Sequence, residues 1–202
     1  MDESSRDLHG SAPDKSPLAL LLVDVINPLD FPEADQLLRH ALPAAGRIAA
    51  LKQRMYEADV PVIYANDNFG RWRSDFNAVV DRCLEQGCKG RPLCELLRPG
   101  PDDYFVLKPK HSAFFSTTLD TLLRYLGTRA LVLCGFAGDI CVLFTANDAY
   151  MRDLQLLVPS DCTASNTSAA NAAALEQMQR VLKADIRPSA EIELEELHRK
   201  DR

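Results

Sequence analysis

The sequence has no apolar stretch near its start that is long enough to cross a bilayer. The most continuous one, Leu18 to Val23, is closed at once by Asp24, far short of the roughly 20 residues a membrane helix needs. Residues 1–16 carry Asp2, Glu3, Arg6 and Asp7 with no apolar centre, so they do not read as a secretory leader. A cytoplasmic location with no membrane partner is the expectation. Basic charge is also scarce: 23 Lys and Arg against 29 Asp and Glu leave a net charge of −6. Phosphate binding needs a basic face, so no nucleic-acid partner is expected. There is no GxGxxG and no GxxxxGK[ST] to cradle a nucleotide. The four histidines, His9, His40, His111 and His198, form no cluster, and the spacing of Cys83, Cys88 and Cys94 matches no usual zinc pattern. No metal or other cofactor is expected.

What is present suits one globular α/β domain: 202 residues, 47% apolar and 26% charged. Residues 1–16 are polar, with Gly10 and Pro13, and read as a disordered arm before a single domain over 17–202. The aliphatic run ending in Asp24 is the pattern of a strand buried on both faces of a parallel sheet. A helix follows with Pro43 in its first turn and Ile48, Leu51 and Met55 on one side. Val60 to Ala65 reads as a second strand, and Asn66 to Ser74 as a polar and aromatic loop. Asp75 then caps a helix carrying Phe76, Val79, Val80 and Leu84. After a short helix over Arg91 to Leu97, Tyr104 to Leu107 makes a third strand that runs into Lys108. Ser116 or Thr117 caps a helix closed by Gly127. Ala130 to Cys134 is the fourth strand, with Asp139 as N-cap of a helix through Met151. Leu154 to Val158, a helix over Ser168 to Leu182 and a short strand at Ala184 to Ile186 complete the pattern, with a peripheral helix over 191–202. This alternation predicts a three-layer α/β/α sandwich around a mainly parallel sheet of five or six strands.

In such a sheet, ligands gather beyond the carboxyl ends of the strands. Those ends carry Asp24, Asp67 and Lys108, and the fourth leads through a Gly-containing turn to Cys141. A thiol in the first turn of a helix faces unpaired amides and the positive end of the dipole, which favours its thiolate, and a nearby Lys108 favours it further. Asp24 is suited to take the thiol proton and return it to a leaving amine. The backbone amides of Ala137 and Cys141 are candidates for an oxyanion hole. Asp67, Arg71, Trp72, Arg73 and Phe136 are the candidate contacts to a small-molecule substrate, the arginines for a carboxylate and Trp72 for a planar group; the alternative reading packs Trp72 at a subunit interface, with the arginines paired to Asp67 or Asp75.

Three blocks carry a family resemblance: LLLVDVIN from Leu20 to Asn27, VLKPKHSAFFSTTL from Val106 to Leu119, and LVLCGFAGDICVLFTANDA from Leu131 to Ala149. Together they resemble the isochorismatase-like cysteine hydrolases, over roughly residues 17–187. The resemblance implies an Asp24-Lys108-Cys141 triad, a cis peptide at Phe136–Ala137, and assembly into homodimers or homotetramers. It also has departures. The usual Thr-Asp pair of the third block is Gly138-Asp139 here, and the metal motif of nicotinamidases keeps only Asp67, with no histidine beside it. A metal-independent cysteine amidohydrolase acting on a small amide or related C–N bond is therefore the leading expectation. Two others stay open: a vinyl ether or ester hydrolase using Asp24 without covalent catalysis, and a non-catalytic binding protein on the same fold.

Overall fold

The computed structural model describes residues 15–67 and 75–193. Six parallel strands form one sheet: β1 (Leu18–Val23), β2 (Val62–Asp67), β3 (Tyr104–Lys108), β4 (Ala130–Phe136), β5 (Gln155–Leu157) and β6 (Thr163–Ala164). The order is β3-β2-β1-β4-β5, and β6 joins β4 at Gly135 and Phe136. The continuous aliphatic run of β1 makes it the central strand, buried at all six positions between β2 and β4. Because successive side chains alternate faces, Leu18, Leu20 and Leu22 pack into one apolar layer while Ala19, Leu21 and Val23 pack into the other.

The first layer is closed by α1 (Ala34–Glu57), α2 (Phe76–Leu84) and α3 (Arg91–Leu96). The second is closed by α4 (Leu119–Leu126), α5 (Leu143–Tyr150) and α6 (Ser168–Leu182). The expected three-layer sandwich is therefore the observed one. Asp75 caps α2 as expected, accepting from the Ala78 amide at 3.0 Å, and Gly127 ends α4 with a left-handed φ of 71°.

Several local expectations are corrected. Pro43 does not begin α1, which starts at Ala34 and runs through the proline. Pro43 and Arg39, whose carbonyl loses its helical donor, are both exposed, so water can meet that carbonyl. β2 starts and ends later than its apolar run suggested, since pairing with β3 extends it to Asp67. Thr118, not Ser116 or Thr117, occupies the cap position of α4, although the Thr117 hydroxyl accepts from the Leu119 amide at 3.2 Å. The segment 184–186 makes only one bridge, Leu157 to Asp185, and the sixth strand is instead Thr163–Ala164. Only two residues long, that strand has too little sequence to carry an alternation signal. Of the expected tail helix, 194–202 lies outside the described residues, and Ser189–Glu191 forms a short 3-10 turn. Among the described residues no helix is long and apolar enough to cross a membrane.

Candidate active site

β1 ends in a break of its own alternation. Val23 faces the second layer, so a regular strand would aim residue 24 at the first. Asp24 instead takes a left-handed φ of 51°, a region Asp tolerates better than most residues, and this redirects its carboxylate. The Asp67 amide, at the end of the neighbouring β2, donates to Asp24 Oδ1 at 2.7 Å. Lys108 is paired in register with Asp67 at the end of β3. Its ammonium lies 2.7 Å from Asp24 Oδ2, 3.9 Å from Asp67 Oδ2 and 3.6 Å from Cys141 Sγ. The Lys108 side chain is 0% exposed, so this charge exists only in company with its anionic neighbours.

Cys141 is delivered by β4. Gly135 has a φ of +128°, and a Cβ there would stand 2.0 Å from the Val23 carbonyl oxygen, so the strand can turn at this point only with glycine. A cis peptide joins Phe136 to Ala137, as the resemblance implied. A π-helical turn, Gly138–Val142, then leads into α5. Asp139 lies inside that turn, and the cap position belongs to Ala137. The Asp139 amide is met from outside, by the Ser165 hydroxyl at 3.1 Å.

Burial and charge set the protonation states of the three groups. Burial pulls the Lys108 ammonium down, but Asp24, Cys141 and Asp67 together hold it above the ordinary lysine value. Asp24 is raised because burial outweighs Lys108 and its hydrogen bonds. The two buried partners stand 2.7 Å apart as an ion pair. The Cys141 thiol is pushed up to about 12, by burial first and then by Asp24, with Lys108 acting the other way. This corrects the expected thiolate: helix start and ammonium both favour it, but the carboxylate and desolvation win. In the resting site the sulfur is a thiol beside a carboxylate able to take its proton.

The other expected residues fare differently. Phe136 is 2% exposed and packs in the first layer with Cys134 and Ala164, because it has the face of Val132 and Cys134 on β4. Its side chain therefore packs on the opposite face of the sheet from Val106, the face that Lys108 shares by alternation. Asp67 is at the site. Ala137 caps the π-helical turn that carries Cys141. Arg71, Trp72 and Arg73 lie outside the described residues. Three residues not read from the sequence also belong to the surroundings of Cys141. Buried Thr145 donates to the Cys141 carbonyl at 2.7 Å and accepts from the Ala113 amide at 3.0 Å, tying the start of α5 to the loop after β3. Its position one helical turn after Cys141 was the available signal. Ser165 and Asn171 reach the turn from β6 and α6, and no local pattern marks them.

Comparison with known proteins places the family and the fold. The profile of the isochorismatase domain matches residues 18–186. An isochorismatase family protein of Bacillus subtilis, YaaI, is 40% identical over 178 residues, covering 88% of this chain and 97% of that one. The ureidoacrylate amidohydrolase RutB of Methylorubrum extorquens is 39% identical over 82 residues, 41% of this chain and 33% of its own length. Among solved structures, N-carbamoylsarcosine amidase from Thermoplasma acidophilum aligns with a TM-score of 0.70 at 28% identity, covering 88% of this chain and 99% of that one. With the domain profile spanning the sheet and every element that carries the Asp24, Lys108 and Cys141 cluster, this chain belongs to the isochorismatase family of hydrolases.

Proposed function

We propose that this protein is a cysteine amidohydrolase that cleaves a small amide or related C–N bond through a thioester on Cys141. The observation that carries the reading is the meeting of Asp24, Lys108 and Cys141, from the ends of three strands, with Lys108 2.7 Å from the carboxylate and 3.6 Å from the sulfur. Sγ–H gives its proton to Asp24 as the sulfur attacks the carbonyl carbon. Lys108 supports the charge of the forming thiolate, and the Ala137 and Cys141 amides receive the oxyanion. As the C–N bond breaks, Asp24 passes the proton to the leaving nitrogen. Water then attacks the thioester, giving one proton to Asp24, and the acid leaves as Cys141 regains its thiol. A raised Asp24 suits this exchange, since it brings carboxyl and thiol closer in proton affinity. No step calls for a metal, and the sequence from the end of β2 keeps Asp67 without the histidines of nicotinamidases.

The names of the two relatives, a ureidoacrylate amidohydrolase and an N-carbamoylsarcosine amidase, direct the test toward ureido and carbamoyl compounds. A panel of small amides, ureas and carbamoyl acids is assayed with wild type, Cys141→Ala and Asp24→Ala. Loss of about a thousandfold or more in both variants is expected, on the scale seen when a covalent nucleophile is removed. Activity that survives in Cys141→Ala but disappears in Asp24→Ala would replace this reading with ether or ester hydrolysis by Asp24 alone. No turnover of any compound by wild type would favour a binding protein.

A further inference from the structure

The nucleophile turn has an empty place in its own sequence. Gly138 opens the π-helical turn, and a Cβ added there would stand 2.1 Å from Asn171 Oδ1 and 3.2 Å from Ser165 Oγ. The space beside the turn is thus filled by a side chain from α6. Asn171 is oriented by β6: its amide nitrogen donates to the Thr163 hydroxyl at 3.2 Å and to the Thr163 carbonyl at 3.4 Å. That leaves Oδ1 to accept from the Ser165 hydroxyl at 3.3 Å. Ser165, itself 1% exposed, accepts in turn from the Asp139 amide at 3.1 Å. A continuous chain therefore runs from Thr163 through Asn171 and Ser165 to the backbone two residues before Cys141.

Resting on the hydrolase reading above, we propose that Asn171 and Ser165 are positioning residues, which brace the turn carrying Cys141 in place of a side chain at position 138. The turn needs such a brace because its function is geometric. The amides of Ala137 and Cys141 and the sulfur must hold their spacing as an oxyanion forms, and a misplacement of about 1 Å costs about a hundredfold. Neither residue touches Asp24 or Lys108 in a hydrogen bond, so the brace acts through the turn alone. A hydrogen-bonded network of this kind holds its members only while every link is satisfied.

The test uses Asn171→Ala and Ser165→Ala with two readouts. In steady-state hydrolysis each variant is expected to lose about tenfold in kcat with KM within about twofold, because geometry in the transition state is lost and not substrate affinity. In timed iodoacetamide labelling, followed by mass spectrometry, Cys141 is expected to react several-fold faster in both variants, as the loosened turn admits water to the sulfur. Cys83, Cys94, Cys134 and Cys162 are all buried and serve as internal controls. Acceleration confined to Cys141 supports the brace. Acceleration of all five together, or an unchanged kcat with an unchanged Cys141, overturns it. Ser165→Ala removes only an oxygen, so it decides the matter even where Asn171→Ala does not fold. Labelling needs no substrate, so a failure of wild type to hydrolyse amides would sink the functional reading while leaving the brace decided by Cys141.

Discussion

Cys141 combines two demands that pull against each other. In the proposed reaction the sulfur must be a nucleophile, yet burial and Asp24 hold it as a thiol, raised to about 12. Asp24 is therefore both the obstacle to ionisation and the proposed means of it. This gives a prediction with opposite signs. In Asp24→Asn the carboxylate that raises the thiol is gone while Lys108 stays 3.6 Å away, so iodoacetamide should label Cys141 faster at pH 7 to 8 than in wild type. Amide hydrolysis should fall by about a thousandfold, since no group takes or returns the proton. Faster hydrolysis, or slower labelling, would contradict the assigned role. The same raised thiol has a consequence for stability. Its folded value lies above the ordinary 9.0, so the unfolded chain releases this proton first and stability falls as pH rises from about 9 toward 12. Cys141→Ser should remove that part of the alkaline loss in denaturant titrations.

The elements around the site show why strand ends, more than strand interiors, carry its chemistry. β2 and β3 finish at a charged residue and β1 is followed at once by one, and the register Asp67 to Lys108 sets two of these side by side. β4 must bring its turn back over β1, and Gly135 allows that approach by leaving no Cβ near Val23. Gly135→Ala is expected to destabilise the fold by about 2 kcal/mol or more, from left-handed backbone strain added to overpacking against the Val23 backbone. Chemical denaturation would measure it, and a change below about 0.5 kcal/mol would show that β1 and β4 can separate at little cost. The helices were legible to different degrees. α2 and α4 carried visible punctuation in Asp75 and Gly127, whereas α1 hid its start because nine residues before Pro43 have no strong cap: Glu33 makes no side-chain cap bond. β6 and the π-helical turn were not readable, since both depend on partners from elsewhere in the chain.

Across the sheet from the site end, a second polar cluster holds the fold together. Lys52 of α1 lies 3.1 Å from Asp103 and donates to the Tyr64 hydroxyl at 2.7 Å and the Arg98 carbonyl at 2.8 Å. Tyr56 donates to the Asp103 carboxylate at 2.7 Å, and the Gly100 amide does so at the same distance. Burial lowers the Lys52 ammonium and Asp103 counters it, so the charge depends on its partner. Asp103 precedes β3 and Lys108 ends it, a separation of about 16 Å along an extended strand. Asp103→Ala should therefore cost about 3 kcal/mol in stability, through a buried ammonium left without its carboxylate. At temperatures where the protein stays folded, kcat should remain within about twofold of wild type. A large loss of kcat with little loss of stability would mean that the two ends of the sheet are coupled.

The layered fold and the identity of Asp24, Lys108 and Cys141 were open to a reader of the chain alone. Aliphatic alternation, turn residues and the charges that close each strand are properties of neighbours in sequence. The protonation of the sulfur, the side to which Phe136 points and the filling of the space at Gly138 were not. Each of these depends on desolvation or on a contact between distant segments, and both come into existence only when the layers pack.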